Sequence, residues 1–418
     1  MPRSVIIPVT NVYAKGGYTV KIKIGSQRAT ANLILDTGSS ALVVQGEDYE
    51  PAHDKKLKAT ELAQDVSYGM GGWFGPVVRT KVSMGDGPFS VSLEDTHIAV
   101  TRKEQSVCFG DADGILGLAY YELSKAYKLT DYLQENNVEP AVTYPWFLAE
   151  EQQDDSIREF KSFLKNYPLN RIKPYFTKLE EQGVVANQFA LLVHRSSIYQ
   201  TRSEKSLKQL KRHPLNNGFF IMGEPKFHKH LFKGSFKKVK VLHNKYYNVN
   251  VKSLRVGDCE ARLAPKLAER HKHYRTNGIV DTGASAIVLP KVFFMQMIED
   301  LITINPDFDY ILEPYKTFEG VEEGVDLSMI DLAHWPILHL NLEGLDGEDV
   351  TLELKPENYW QVHAPKPNQA SFQFVFLESW PNQCILGLPL MSSYFTIFDR
   401  EVQEKGVILF AEKPNLLI

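Results

Sequence analysis

Ile34-Leu35-Asp36-Thr37-Gly38-Ser39-Ser40-Ala41-Leu42-Val43-Val44 and, far downstream, Ile279-Val280-Asp281-Thr282-Gly283-Ala284-Ser285-Ala286-Ile287-Val288-Leu289 are two copies of one phrase. In each, an apolar run delivers an aspartate, the chain turns at a glycine, and a second apolar run leaves. A chain of 418 residues meets one Asp-Thr-Gly by chance roughly one time in ten, and two far less often. The duplication predicts two related halves, each presenting one carboxylate on a tight loop. Two such carboxylates within hydrogen-bonding distance cannot both ionise, so the pair holds one proton across a wide acidic range. The charged member can then act as general base on a water, while the protonated member donates to a carbonyl oxygen. That chemistry needs no metal, cofactor or covalent nucleophile. Gly38 and Gly283 let the backbone turn sharply and let a substrate come close. The Thr37 and Thr282 hydroxyls can tie the loops together, and Ser39 can donate to the Asp36 side.

Further motifs stand in order around these two. Residues 18–25 precede Asp36 as an alternating strand, and Tyr68-Gly69-Met70-Gly71 has the composition of a hairpin tip. Asp113-Gly114-Ile115-Leu116-Gly117-Leu118-Ala119 follows the first loop and Cys384-Ile385-Leu386-Gly387 the second. Residues 394–400 close the pattern, and residues 220–223 stand between the halves. Together these motifs resemble the pepsin-like aspartic peptidases over nearly the whole chain, in particular bacterial-type members without disulfides or a pro-segment. The resemblance implies a mainly β, bilobal acid-protease fold with two β-barrel-like lobes and a cleft between them. It implies catalysis by Asp36 and Asp281, with Thr37, Ser39 and Thr282 in support. It makes Tyr68, Gly69, Met70 and Gly71 a flap over an extended polypeptide substrate, with Gly38, Gly283 and Ser285 as substrate contacts. Cleavage in an acidic range beside hydrophobic residues, and binding of statine-type inhibitors, go with it. The alternative is a non-catalytic peptide-binding protein on the same fold, although both Asp-Thr-Gly triplets are whole.

Composition bounds the rest. A hydrophobic fraction of 43%, a charged fraction of 23% and a net charge of −4 suit a globular protein and give no reason to expect nucleic-acid or membrane binding. No apolar run approaches the roughly 18 residues of a spanning helix. The three cysteines, Cys108, Cys259 and Cys384, are scattered and odd in number, a poor disulfide framework. No asparagine begins an Asn-x-Ser/Thr site. A cytoplasmic monomer is the expectation. With 17 residues ahead of Tyr18, no covering pro-segment is expected either.

The halves are expected as 1–224 and 225–418. Residues 121–170 read as a mainly helical insertion in the first, clearest at 147–164. Residues 195–213 carry Arg195, Arg202, Lys205, Lys208, Lys211 and Arg212 against Glu204, the pattern of a solvated basic loop. Residues 239–251 read as one strand. The His228/His230 and His271/His273 pairs lack a third ligand at metal spacing and are expected to be structural or solvated. Two departures from the resemblance stand out. Val43 occupies a place where a Trp commonly supports the flap tyrosine, leaving Trp73 as a substitute support. Ala284 occupies a place where a Thr or Ser is common, so the two aspartate loops should be chemically asymmetric.

Overall fold

Alternation of apolar and polar side chains makes strands in most of this chain. In Gly17–Ile24, Val20, Ile22 and Ile24 are buried while Lys21 is exposed. The structure is a computed structural model describing residues 4–67, 71–87, 90–101, 103–105, 109–145, 157–201, 206–317, 323–378 and 380–414. It is mainly β and divides into two compact units. The first comprises Met1–Ile7 and Thr19–Ala186, the second Pro8–Tyr18 and Asn187–Ile418.

In the first unit the strands lie in the order Leu169–Arg171, Lys125–Lys128, Lys58–Ser67, Gly72–Met84, Val91–Thr101, Leu42–Gln45, Gly114–Gly117, Ala29–Asp36 and Gly17–Ile24, the last of which enters the unit at Thr19. Lys58–Ser67 and Gly72–Met84 form the expected hairpin, with Ser67 opposite Gly72. Residues 68–70 of its tip lie outside the described residues, whereas Gly71 has φ +79°, a conformation that suits glycine. The insertion carries two short helices, Thr130–Glu135 and Ile157–Leu164. It also contributes the strand pair Lys125–Lys128 and Leu169–Arg171, too short and too polar to show as strands in the sequence.

In the second unit one sheet runs Asn217–Met222, Gln188–Leu192, Tyr394–Asp399, Val407–Glu412 and Lys233–Lys240. Smaller sheets surround Gly278–Val280 and Val251–Val256, and the helix Lys291–Ile304 buries Phe293, Phe294, Met297, Ile298 and Leu301. The single strand expected at 239–251 is broken. The Leu242 N–H donates to the Asn248 carbonyl at 2.8 Å, and a turn separates Lys233–Lys240 from Asn248–Val249 and Val251–Val256. The basic loop reading also fails at one residue. Arg195 is buried; its Nε donates to the Ser197 carbonyl at 3.2 Å and its Nη2 to the Val362 carbonyl at 2.7 Å. Lys208, Lys211 and Arg212 are exposed as expected, while Arg202, Glu204 and Lys205 lie outside the described residues. Cys259 and Cys384 are free thiols. Cys384 is fully enclosed, and burial pushes its thiol up to about 12, the state of an inert packing group. Cys108 is outside the described residues.

One buried carboxylate ties three parts of the first unit together. Asp54 Oδ2 accepts from Tyr49 Oη at 2.7 Å and from Thr80 Oγ1, and its Oδ1 accepts from the Ser26 and Lys56 backbone N–H groups at 2.8 and 2.9 Å. Burial alone would raise its pKa, but the bonds from Thr80, Tyr49, Ser26 and Lys56 outweigh it and hold Asp54 at about 2, below its ordinary 3.8. The depressed value means that the stabilisation is complete above the unfolded-state pKa and fades as pH falls through the folded one. Asp54→Asn should therefore cost about 2 kcal/mol near neutral pH and flatten the loss of stability between about pH 4 and pH 2. Denaturant titrations of both proteins across that window measure it; parallel acid limbs would refute the assignment.

Candidate active site

Each aspartate loop is built the same way within its own unit. In the first, Ala29–Asp36 enters the loop and Leu42–Gln45 leaves it. Gly114–Gly117 lies between these two strands, parallel to the first, with Asp36 opposite Gly117, and antiparallel to the second. In the second, Gly278–Val280 enters and Ile287–Val288 leaves, with Cys384–Leu386 between them, parallel to the first and antiparallel to the second. The third strand passes so close behind each loop that no side chain fits at its end. A Cβ on Gly117 would lie 2.5 Å from the backbone of Ser40, and one on Gly387 2.2 Å from the Ala286 carbonyl oxygen and 2.5 Å from that of Ala284. Backbone bonds complete the fit. Leu118 N–H donates to the Asp36 carbonyl at 2.6 Å and Ala119 N–H to the Ser39 carbonyl at 2.7 Å. Asp281 N–H donates to the Leu386 carbonyl at 3.0 Å and Leu388 N–H to that of Ala284 at 2.8 Å.

The turn orients each carboxylate by the same local bond. Gly38 N–H donates to Asp36 Oδ1 at 2.7 Å, and Gly283 N–H donates to Asp281 Oδ1 at 2.8 Å. A backbone donor two residues on stabilises the charged carboxylate and fixes its rotamer. Thr37 and Thr282 are both buried. The surroundings differ between the two loops. Asp36 is 5% exposed and Ser39 is buried beside it, whereas Asp281 and Ala284 are half-buried and Gly283 and Ser285 are exposed. Ser39 Oγ has no hydrogen-bond partner among the described residues, so the donation to Asp36 expected of it is not one of the bonds present.

Of the flap residues, Tyr68, Gly69 and Met70 fall outside the described residues and Gly71 is exposed at the end of the hairpin. The support expected from Trp73 to Tyr68 falls outside them too. Trp73 itself is fully buried, opposite Val66. Val43, in the place of the usual Trp, is also fully buried, and its carbonyl faces Gly114, where a Cβ would come within 2.1 Å. Sequence reading missed the part that Asp113 plays. Its Oδ2 accepts from the Asn32 N–H at 2.6 Å and from Asn32 Nδ2 at 3.0 Å, securing the entering strand to the Gly114–Gly117 segment. The adjoining Asp-Gly could have marked it.

A mainly β chain of two units, each threading a Leu-Gly strand behind an Asp-Thr-Gly loop, has the architecture of a pepsin-like aspartic protease. The family model for eukaryotic aspartyl proteases matches residues 17–157 and 176–411, and the chain belongs to that family. The chain is 30% identical to Vacuolar protease A of Neurospora crassa over 127 residues, which are 27% of this chain and 31% of that one. It is 30% identical to Vacuolar aspartic protease of Candida albicans over 130 residues, 28% of this chain and 30% of that one. The matched stretch thus spans under a third of each of those relatives.

Because Gly117 approaches the Ser40 backbone itself rather than a flexible side chain, Gly117→Ala should cost at least about 2 kcal/mol of stability. Gly183, with nothing within 4 Å of a Cβ but with φ +67°, is the control for backbone strain without a clash. Thermal denaturation of both variants measures the difference; a Gly117→Ala protein as stable as Gly183→Ala would contradict the close-approach account.

Proposed function

We propose that the chain is an aspartic endopeptidase in which Asp36 and Asp281 share one proton and activate a water against a peptide carbonyl. The observation that carries this reading is the repetition of one loop in both units, each with its carboxylate held by the glycine N–H of Asp-Thr-Gly. Family membership supports it. In this reading the charged aspartate takes a proton from water as the oxygen attacks. The protonated one donates to the carbonyl oxygen; as the C–N bond breaks, the proton taken from water passes to the leaving amine, and a hydroxyl of the diol returns its proton to the other aspartate, restoring the shared proton. Thr37 and Thr282 hold the loops, Ser39 is a hydroxyl in reserve on the Asp36 side, and Gly38, Gly283 and Ser285 meet the substrate backbone. Tyr68, Gly69, Met70 and Gly71 close over an extended polypeptide, with hydrophobic residues preferred beside the cleaved bond. Acidic pH suits a dyad that needs one shared proton, and a statine-type inhibitor, whose hydroxyl mimics the attacking water, should bind. The chain acts as a monomer in this proposal. A cytoplasmic placement goes with it, supported by the free thiols of Cys259 and Cys384. Two relatives carry "vacuolar" in their names, so recovery of a tagged chain from an acidic vacuole would overturn the placement.

The test is hydrolysis of a denatured protein and of one synthetic peptide across pH. Asp36→Ala and Asp281→Ala should each lower kcat/KM by at least about a thousandfold with the fold retained, since one carboxylate cannot be acid and base together. Substantial turnover by either purified variant defeats the assignment.

The asymmetry of the loops gives a second prediction. A hydroxyl donor near a carboxylate favours its charged form. Ala284 provides none beside Asp281, so the shared proton should persist to milder acid. Ala284→Thr should move the alkaline limb of the kcat/KM profile to lower pH, because that limb reports ionisation of the free enzyme. A limb that stays put or moves upward, in a variant of unchanged thermal stability, rules the idea out.

A further inference from the structure

The insertion does not stand apart from the first unit; it packs on the flap hairpin. Lys125–Lys128 pairs antiparallel with the outer flap strand, Tyr127 opposite Ala63 and Lys128 opposite Leu62. Leu129 N–H continues the ladder to the Glu61 carbonyl at 2.9 Å. Thr143 adds a second tie, its N–H donating to the Thr60 carbonyl at 2.8 Å and its Oγ1 lying 2.7 Å from the Leu62 carbonyl. Side chains then close one face of the hairpin. Phe160, Phe163, Leu164 and Tyr167 fall at helical spacing, so a single stripe of the helix Ile157–Leu164 and its exit points inward. Phe160 and Leu164 form one buried cluster with Leu129, Leu133, and Ala63 and Phe74 of the flap strands. The Phe160 and Phe74 rings stack with centroids 4.4 Å apart.

The position of that stack matters. Phe74 lies two residues past Gly72, where the hairpin leaves its tip, and it sits opposite Asp65. Its neighbour Trp73 points to the other face, as strand alternation requires, and is fully buried. At Trp73 and Phe74 the hairpin is therefore covered on both faces. Asp65 lies among cations of the insertion: burial pushes its carboxyl up, and Lys161 of the helix, Lys165 just past it and Lys125 of the paired strand offset that rise only in part.

We infer that the insertion is a buttress for the flap, and that Phe160 is a positioning residue that sets the flap's height through its stack on Phe74. The inference rests on the reading of the hairpin as the flap of a peptidase. A free hairpin would bend along its length, whereas a buttressed one is held along Lys58–Ser67 and the first residues of Gly72–Met84. Phe160 touches no substrate. It acts by keeping the closed flap cheap to reach, so its loss falls on binding rather than on the chemical step.

The test compares Phe160→Ala and Phe160→Leu with the unaltered full chain. Phe160→Ala should raise KM for a synthetic peptide, and Ki for a statine-type inhibitor, by about tenfold, with kcat within about twofold. Amide exchange in Lys58–Ser67 and in the first residues of Gly72–Met84 should quicken by at least about tenfold, while exchange in Ala29–Asp36 stays unchanged. Phe160→Leu, which keeps an apolar side chain without the ring, should fall between, and it carries the comparison if the alanine variant does not fold. Unchanged KM and unchanged flap exchange in a folded variant overturn the inference. So does faster exchange spread evenly through the first unit, which would make Phe160 a general core residue. If the unaltered chain hydrolyses no peptide, the peptidase reading fails, while the exchange comparison still decides whether the insertion holds the hairpin.

Discussion

The constraint on which the site depends is the passage of one strand directly behind each aspartate loop. Gly117 and Gly387 approach the backbone of those loops so closely that a methyl group would overlap main-chain atoms. Main chain cannot rotate aside as a side chain can, so glycine is required there by space alone. Gly114 is constrained twice, by φ +152° and by the Val43 carbonyl. In return the loop backbone becomes part of the sheet. Its carbonyls accept from Leu118, Ala119 and Leu388, and the carboxylate is left as the group that the turn presents. Orientation of each aspartate thus follows from sheet geometry, which is rigid, rather than from a surface loop, which is not.

The same constraint explains why the two loops match while their surroundings do not. Three strands and a glycine are sufficient to define the turn, so residues outside them can change without moving the carboxylate. Asp36 is enclosed with Ser39 beside it; Asp281 is more open, with a methyl group in the corresponding place. The hairpin of Lys58–Ser67 and Gly72–Met84 and the insertion follow the same logic. A hairpin projecting from a sheet edge leaves backbone groups and one face uncovered, and a segment added at that edge satisfies both together. The pairing of Tyr127 with Ala63 and the stack of Phe160 on Phe74 are the two halves of that solution.

The fold and the loops were legible because their signal is backbone geometry written as residue type. An aspartate between apolar strands, a glycine two residues on, and a Leu-Gly further along each follow from a local requirement. What was not legible depended on partners far away in sequence. Arg195 looked like one charge in a basic run, yet it is enclosed by carbonyls, one of them at Val362. Charge runs are read from neighbours, and neighbours do not reveal distant acceptors. The strand pair of the insertion was hidden because strands of three and four residues are too short to carry a period, and it exists because the Lys58–Ser67 edge offers a ladder to join. Residues 239–251 looked continuous because the apolar pattern runs through a turn that Leu242 and Asn248 close by a backbone bond. Asp54 gave no sign, since its donors come from three separate segments.

The two loops are also secured from behind by different chemistry. In the first unit a carboxylate takes part, Asp113 holding both the N–H and the side-chain amide of Asn32 on the entering strand, beside main-chain bonds from Asp113 N–H to the Asn32 carbonyl at 3.0 Å and from Gln45 N–H to the Asp113 carbonyl at 2.9 Å. In the second, the leaving strand is held by main chain: Ile287 N–H donates to the Gln373 carbonyl at 2.8 Å and Leu289 N–H to the Val375 carbonyl at 2.9 Å. Gln373 is fixed in turn by its side chain, which accepts from Ser196 Oγ at 3.0 Å and reaches Ser371 Oγ at 2.6 Å. Ser196 N–H donates to Gln361 Oε1, and Gln361 Nε2 donates to the Asn358 carbonyl at 3.1 Å. Such a buried amide network is stable only when its members are all paired, because each unpaired group would keep its desolvation cost. It therefore couples the residues around 195–197 to the second aspartate loop, although no part of that basic segment belongs to the loop itself. The buried Arg195, bound to the Ser197 and Val362 carbonyls, closes the outer end of the same network.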